Sequence, residues 1–445
     1  MPSAPNRLTD SLRRNRFCIG VRHGSGYRCG GETDENAINK VVELLGEAVE
    51  RILRWRVWDI WWVEEHADEW LKTRDKLEMQ LRDKYSEEVI NAVTGLVDKF
   101  ISYNERFLNY WRSVGDEVRR LVNDLMSGRA EVIIRGKDTS SISVYYEHIT
   151  LEVDRVSNDS IMVQLKLNSL EGVTIRVPDV FRRAMNKEEY VKFINKVLKA
   201  LMGGFEETDG RIEKGNKAAM DTTQIWQAIV WSILYPGKMR VYIDAVNLNE
   251  NSMTIRWRLR SSHDSLKGKI LSNIDKLSEE GLLSFMLTAV LGDGYADVVK
   301  PIINGRAYGE AVIKIAMSDE EYKAWEPLFE RLKGMGFRSG KPSLINGNEV
   351  EVPFYGSNAI NLARAMISIL PPILRDILDA LSFEKWINLR RIAEMEVKFK
   401  RGEMQIIVVD YGFTVKARDD TVVLEHKAKD DAEAKEVIET LKAKY

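Results

Sequence analysis

The sequence predicts an α+β fold, and three patterns in its 445 residues support that prediction. Apolar residues recur every three to four positions over residues 34–127, which is the period of an amphipathic helix. The period changes to two over residues 130–178, as in short antiparallel strands. Farther on, two apolar helices each run directly into an Asp-Gly pair. We therefore expect a core of two packed helices with antiparallel strands, an N-terminal helical module and a small C-terminal β-plus-α unit.

Composition limits the classes of function. The net charge of −2 does not indicate a polyanion partner, so any nucleic-acid role must depend on local patterns. No apolar run approaches the roughly 20 residues that span a bilayer, and the basic, polar N-terminus has no apolar segment of a signal peptide. Two cysteines are too few for a disulfide framework, which favours a cytoplasmic location. Abundant Glu, Lys and Arg are compatible with a thermophile.

Residues 1–33 are basic and lack hydrophobic periodicity, and we expect a flexible arm whose arginines lie against phosphates. Cys18, His23 and Cys29 within it fit no common zinc spacing, so zinc is not expected. The helical module spans residues 34–128 and contains a tryptophan stripe at Trp55, Trp58, Trp61 and Trp62. Such a stripe is more typical of a core, while binding of a protein partner or self-association remains the alternative.

A β-rich segment is expected over residues 129–180, the core over 181–394, and four strands with a helix over 395–445. Within the core, Asn186 with Glu189 and Ser318 with Glu321 have the spacing of capping boxes, and Ser278 is a cap for a third helix. Other elements are predicted from periodicity and turn residues: a helix near Thr222–Leu234, strands at Met239–Val246, Ser252–Arg260, Ala311–Ala316 and Glu349–Phe354, and a helix at Asn358–Ile369.

The most specific motif is MLTAVLGDGYAD, residues Met286–Asp297, in which an apolar helix leads into Gly292-Asp293-Gly294. It resembles the motif of the LAGLIDADG homing endonucleases. In that family two such helices pack together, and small residues, here Thr288 and Ala289, let their backbones approach closely. The resemblance covers residues 186–393 and implies an αββαββα repeat that presents a concave saddle of strands to double-stranded DNA.

A second match, LMGGFEETDGRI, spans Leu201–Ile212. Aligning the two motifs on Asp-Gly places Gly204 opposite Thr288, with Gly203 beside it, and makes Asp209 the counterpart of Asp293. Only 84 residues separate the two aspartates, and a helix rather than a hairpin is expected soon after Asp209. We therefore expect a rearranged first repeat with strands from residues 130–178 filling in.

The resemblance implies that Asp209 and Asp293 hold Mg²⁺ for phosphodiester cleavage, since paired carboxylates repel unless a cation lies between them. It also implies a basic residue near the metal, for which Lys341 is the first candidate by position and Lys314 the second. The simpler alternative is that each Asp-Gly only ends a helix and that both lysines are solvated.

Three arginines alternate along one predicted strand, which places Arg256, Arg258 and Arg260 on one face. Phosphates or guanine edges would neutralise them, as they would Lys314, so these residues are candidate DNA contacts. Ion pairs with neighbouring carboxylates are the alternative.

Three functions remain open at this stage: a site-specific, Mg²⁺-dependent DNA endonuclease, a catalytically inactive DNA-binding or architectural protein, and a structural assembly protein. Long extensions of this kind are similar to those of archaeal relatives of the family, some of which no longer cut DNA. A nucleoid-associated location would follow from either of the first two.

Overall fold

The computed structural model describes residues 4–24, 26–135, 139–157, 160–299, 302–303, 306–307, 309–345, 349–396, 404–409, 411–418, 421–428 and 430–444. The protein is a mixed α+β structure, as its periodicity predicts, with one large sheet and several smaller ones. In these ranges no helix is long and apolar enough to cross a membrane.

The N-terminal segment is folded, which corrects the expected flexible arm. It forms α1 (Ala4–Leu12), β1 (Arg16–His23) and β2 (Gly26–Gly31). The side chain of Asn15 donates to the carbonyls of Leu12 and Leu125, and the Cys18–Cys29 disulfide joins the two strands. Hydrophobic periodicity could not predict that this segment is folded, because contacts with distant backbone groups and pairing between strands stabilise it.

The helical module consists of α2 (Glu35–Trp55), α3 (Trp61–Leu81) and the 41-residue α4 (Glu87–Ser127). Helix α4 ends at Gly128, whose φ of 77° is the left-handed conformation that favours glycine. The tryptophan stripe is only partly internal. Trp62 is buried and packs edge-on against Trp111 with ring centroids 5.0 Å apart, Trp55 and Trp58 are half-buried against the core, and Trp61 is 48% exposed.

The large sheet has 11 strands, and it continues without a break across the domain boundary expected at residue 180. Besides β1 and β2, its strands that precede the first motif helix are β3 (Glu131–Ile134), β4 (Ser141–Tyr145), β5 (Ile149–Ser157), β6 (Ser160–Leu167) and β7 (Val173–Val177). The main path runs β2-β1-β3-β4-β5-β6 and continues through four strands of the first repeat, β10 (Gly237–Leu248), β11 (Met253–Asp264), β9 (Lys217–Thr222) and β8 (Gly210–Glu213). Strand β7 pairs with the beginning of β10. The β-rich segment is thus an extension of the core sheet.

The first repeat includes a hairpin directly after Asp209, which corrects the expected rearrangement. Two short helices, α5 (Val180–Ala184) and α6 (Lys187–Phe193), and a π-helical turn (Ile194–Leu198) precede this repeat. The repeat itself consists of α7 (Lys199–Thr208), β8 (Gly210–Glu213), β9 (Lys217–Thr222), α8 (Ile225–Leu234), β10 (Gly237–Leu248) and β11 (Met253–Asp264). Strand β8 has only four residues, too few for alternation to be recognised.

The second repeat has the same element order and the same strand order within its sheet. After a 3₁₀ turn (Leu271–Lys276), it comprises α9 (Glu279–Gly292), β12 (Gly294–Val299), a short hairpin of β13 (Ile302–Ile303) and β14 (Arg306–Ala307), β15 (Glu310–Ser318), α10 (Asp319–Gly334), β16 (Ser343–Ile345), β17 (Glu349–Tyr355) and α11 (Gly356–Ser368). Its sheet runs β12-β15-β17-β16, which matches β8-β9-β11-β10 of the first repeat strand for strand.

Two helices, α12 (Pro372–Leu381) and α13 (Glu384–Glu394), follow the second repeat. The C-terminal unit has β18 (Met404–Val408), β19 (Tyr411–Arg418), β20 (Thr421–Glu425) and α14 (Asp431–Lys444). The additional strand expected just after residue 394 falls mostly outside the described residues.

The helical module covers one side of the first repeat. The indole of Trp257 on β11 packs against Trp70, Phe100 and Tyr103, with ring centroids 5.1, 5.6 and 6.0 Å away. These side chains belong to α3 and α4. Because side chains alternate along a strand, the neighbouring arginines of β11 point to the opposite, uncovered face.

Candidate functional site

Helices α7 and α9 pack against each other through small residues. A methyl group on Gly204 would overlap the Phe285 carbonyl oxygen and the Thr288 hydroxyl, so only glycine fits at this contact. Gly203 instead faces Ile270, and Ala289 is fully buried. The sequence therefore identified the central contact between the two motif helices through Gly204 and Thr288.

The two aspartates occupy equivalent positions at the ends of these helices. The Asp209 N–H donates to the Phe205 carbonyl, and the Asp293 N–H donates to the Ala289 carbonyl. The glycine after each aspartate lies close to its own helix: a Cβ on Gly210 or Gly294 would come 2.5 or 2.6 Å from a Cα of the preceding turn. Close backbone approach thus explains the Asp-Gly pair in both motifs.

The two helix ends are in contact. The Oδ2 atom of Asp209 lies 2.5 Å from the position that a Cβ on Gly292, the residue before Asp293, would occupy. Gln227 on α8 donates its amide N–H to the same oxygen at 3.0 Å. The fold therefore places the Asp209 carboxylate against the backbone that carries Asp293.

Burial shifts the pKa of both aspartates, and the charge of Asp293 adds to the shift of Asp209. Desolvation first, and the charge of Asp293 second, raise the pKa of Asp209 to about 6. Desolvation also raises the pKa of Asp293, although Asp293 is the more exposed residue. Lys385 and Lys267 oppose both shifts because their positive charges favour the carboxylates. The site therefore holds carboxylates whose charge is only partly compensated.

Two lysines approach the pair from different elements. Lys385, in the first turn of α13, donates its ammonium N–H to the Gly292 carbonyl, and burial lowers its pKa while the two aspartates oppose that change. Lys267, after β11, donates to the Gly210 carbonyl at 2.7 Å. Sequence reasoning missed both because neither belongs to a motif. Only the fold brings Lys385 to Asp293, 92 residues earlier in the chain.

The lysines expected from the sequence lie elsewhere. Lys341 is exposed in the segment between α10 and β16, beside Gly340, whose N–H donates to the Pro353 carbonyl. Lys314 on β15 forms an ion pair with Glu351 at 3.0 Å. Neither lysine is among the charges that shift the pKa of Asp209 or Asp293, whereas Lys385 and Lys267 are.

The loop that carries Lys267 is fixed by a fully buried carboxylate. Glu206 on α7 accepts hydrogen bonds from the Tyr235 hydroxyl at 2.6 Å, from the backbone N–H groups of Leu266 and Lys267 at 2.8 and 3.2 Å, and from the Ser265 hydroxyl. The next residue, Glu207, accepts from the Gly268 N–H at 2.5 Å. The corresponding positions in the second motif are valine and leucine, so this attachment exists in one repeat.

A cavity of about 410 Å³ opens beside Asp209. The rings of Trp226 and Phe383 stack at 3.8 Å along its wall. Polar and charged side chains make up most of the remaining lining, namely Asp209, Asp221, Thr222, Thr223, Gln224, Gln227, Arg256, Glu384 and Lys385. The cavity therefore gives solvent and small polar groups access to Asp209.

The three alternating arginines share the uncovered face, but carboxylates and a carbonyl of this chain already contact them. Arg256 binds Asp244 through two hydrogen bonds of 2.8 and 2.9 Å. Arg258 contacts both Asp221 and Asp244, and Arg260 donates to the Lys214 carbonyl. Carboxylates of the protein itself therefore neutralise part of the positive charge that DNA phosphates were expected to neutralise. This agrees with the alternative expectation of ion pairs with neighbouring carboxylates.

In the part of the chain that the structure describes, no group of three or more His, Cys, Asp or Glu residues could hold a metal ion. The aspartates are a pair, and waters would have to complete any coordination shell. Comparison of the sequence with known protein families and with characterised proteins gives no match.

Proposed function

We propose that the protein binds double-stranded DNA on the uncovered face of its two repeats and cleaves a phosphodiester bond beside Asp209 and Asp293. The observation that carries this proposal is that two packed helices end in equivalent aspartates, with Asp209 Oδ2 against Gly292 and the pKa of Asp209 raised by burial and by the charge of Asp293 to about 6. If the two Asp-Gly pairs served only to end helices, placing the two carboxylates near each other would cost stability through charge repulsion with no compensating role.

The donor set fits Mg²⁺. This cation prefers oxygen ligands, commonly takes one or two carboxylates and keeps several waters, so a group of three protein ligands is not required. Bound there, Mg²⁺ would activate a water molecule and stabilise the leaving oxygen. Asp209 and Asp293 are the residues that would hold it.

The surrounding residues orient the Asp209 carboxylate and offset negative charge at the site. Gln227 holds one oxygen of Asp209 through its amide and thereby fixes the rotation of the carboxylate. The ammonium groups of Lys385 and Lys267 are positioned to offset the negative charge that phosphate adds to the site. Because the pKa of Lys385 is lowered, it can also give up a proton more readily than an exposed lysine.

Supercoiled plasmid incubated with Mg²⁺ tests the proposal. We expect nicked or linear DNA with the wild-type protein, and loss of at least 100-fold in rate for both D209N and D293N, since electrostatic groups at a reacting phosphate commonly contribute that much. D68N removes an equal charge from an exposed position on α3 and should retain the wild-type rate. Equal activity in D293N and D68N would refute the assignment of the site.

A catalytically inactive DNA-binding or architectural protein is the second candidate. The pairing of Arg256 and Arg258 with Asp244 and Asp221 favours it, because these ion pairs hold the sheet face without any substrate. Retained gel-mobility shifts with no Mg²⁺-dependent nicking would support this candidate over the endonuclease.

A further inference from the structure

The two repeats present faces of opposite charge. The first face is defined by the side chains of β8–β11 that point away from the helical module. It carries seven cations, Arg211, Lys217, Lys238, Arg240, Arg256, Arg258 and Arg260, and four carboxylates, Glu213, Asp221, Asp244 and Asp264. The strand pairing supports this grouping, since Arg240 lies opposite Arg260, and Arg260 lies opposite Ala219, itself the partner of Arg211.

The second face consists of the equivalent side chains of β12, β15, β16 and β17, of which those of β16, Ser343 and Ile345, are uncharged. It carries one cation, Lys314, and four carboxylates, Asp297, Glu310, Glu349 and Glu351. Its exposed large side chains are Tyr295 and Tyr355, which are 45% and 42% exposed. Two faces that match strand for strand therefore differ in net charge by six units, from about +3 to about −3.

Not all cations of the first face are neutralised internally. Lys238 and Arg240 on β10 are exposed and make no ion pair within the described residues. Arg176 on β7 lies directly opposite Lys238 and is exposed as well. These three residues form a basic edge, which we define as Arg176, Lys238 and Arg240, at the outer side of the first face.

We infer that a DNA duplex is held one-sidedly: the first face with its basic edge binds the phosphates, and the second face contributes Asp293 and few phosphate contacts. The inference rests on the proposed function, since it assumes that a duplex lies across both faces. Its physical basis is that duplex DNA carries one phosphate charge per about 1.7 Å of axis, so carboxylates on the second face repel what the first face attracts. The exposed tyrosines offer contacts that need no phosphate.

Binding of a fluorescent 40-base-pair duplex, measured against salt concentration, tests the inference. Each lost phosphate contact lowers the slope of log affinity against log salt by about 0.9. We expect the combined variant R176Q/K238Q/R240Q to lose about 2–3 from the slope, about 0.9 for each cation, and K314Q, which removes the one cation of the second face, to lose close to zero. A loss of about 0.9 in K314Q, the value of one full phosphate contact, would overturn the inference.

A gain-of-binding variant excludes misfolding as the cause. In E349Q/E351Q the second face loses two negative charges, so affinity at low salt should rise several-fold if this face repels phosphate. Weaker binding by this variant would mean that the glutamates contact DNA bases, and it would also overturn one-sided binding. If the wild-type protein shows no salt-sensitive DNA binding, the proposed function fails together with the inference, whereas equal dependence on both faces defeats the inference alone.

Discussion

Replacing Asp209 with asparagine should stabilise the protein in the absence of divalent cations, and should do so more at pH 8 than at pH 5. The pKa of Asp209 is about 6 in the fold and 3.8 ordinarily. The folded state therefore favours the protonated carboxyl, and the wild-type protein loses stability as pH rises from the ordinary value through about 6. Asparagine is uncharged at every pH, and it retains an oxygen that can accept the hydrogen bond from Gln227.

The magnitude follows from linkage. Ionising a carboxyl with these two pKa values costs the fold about 1.6 kcal/mol at pH 5 and about 3 kcal/mol at pH 8. The difference in unfolding free energy between D209N and wild type should therefore grow by about 1.4 kcal/mol between these pH values.

Urea unfolding in EDTA at several pH values from 5 to 8 measures this difference. The control D68N removes an aspartate from an exposed helix position and should shift the unfolding free energy by less than about 0.5 kcal/mol at each pH. A gap that stays constant or narrows as pH rises would refute the argument that Asp209 is held in an unfavourable ionised state.

Two further predictions concern the helices that build the site. Gly204→Ala should destabilise the protein by about 1–3 kcal/mol, because the added methyl group overlaps the Phe285 carbonyl. The control Gly95→Ala on α4 places its methyl group in open space and should stabilise the protein by about 0.5–1 kcal/mol. Equal shifts in melting temperature for the two variants would contradict the close helix contact. Glu206→Gln should speed amide hydrogen exchange at Leu266 and Lys267, because the amide group of glutamine replaces one acceptor oxygen by a donor. Unchanged exchange rates at these two residues would show that Glu206 does not fix the loop that carries Lys267.

Much of the local structure can be read from the sequence because its causes are local. The capping boxes at Asn186 and Ser318 form as their spacing predicts, and periodicity correctly indicates the long helices and β11. Asp-Gly marks both helix ends because a glycine is needed where the chain turns against its own helix. Strand β8 escaped detection because four residues do not establish a period.

The chemistry around the aspartates depends on contacts between distant parts of the chain. The sequence by itself determined where the two motif helices end and that each ends in an aspartate. Only the tertiary structure decided that Lys385 and Lys267, rather than Lys341, approach those carboxylates, and that Asp244 and Asp221 pair with the arginines of β11. The reason is physical: helix and strand periods reflect neighbours within a few residues, whereas desolvation and charge pairing depend on which side chains the packing brings together.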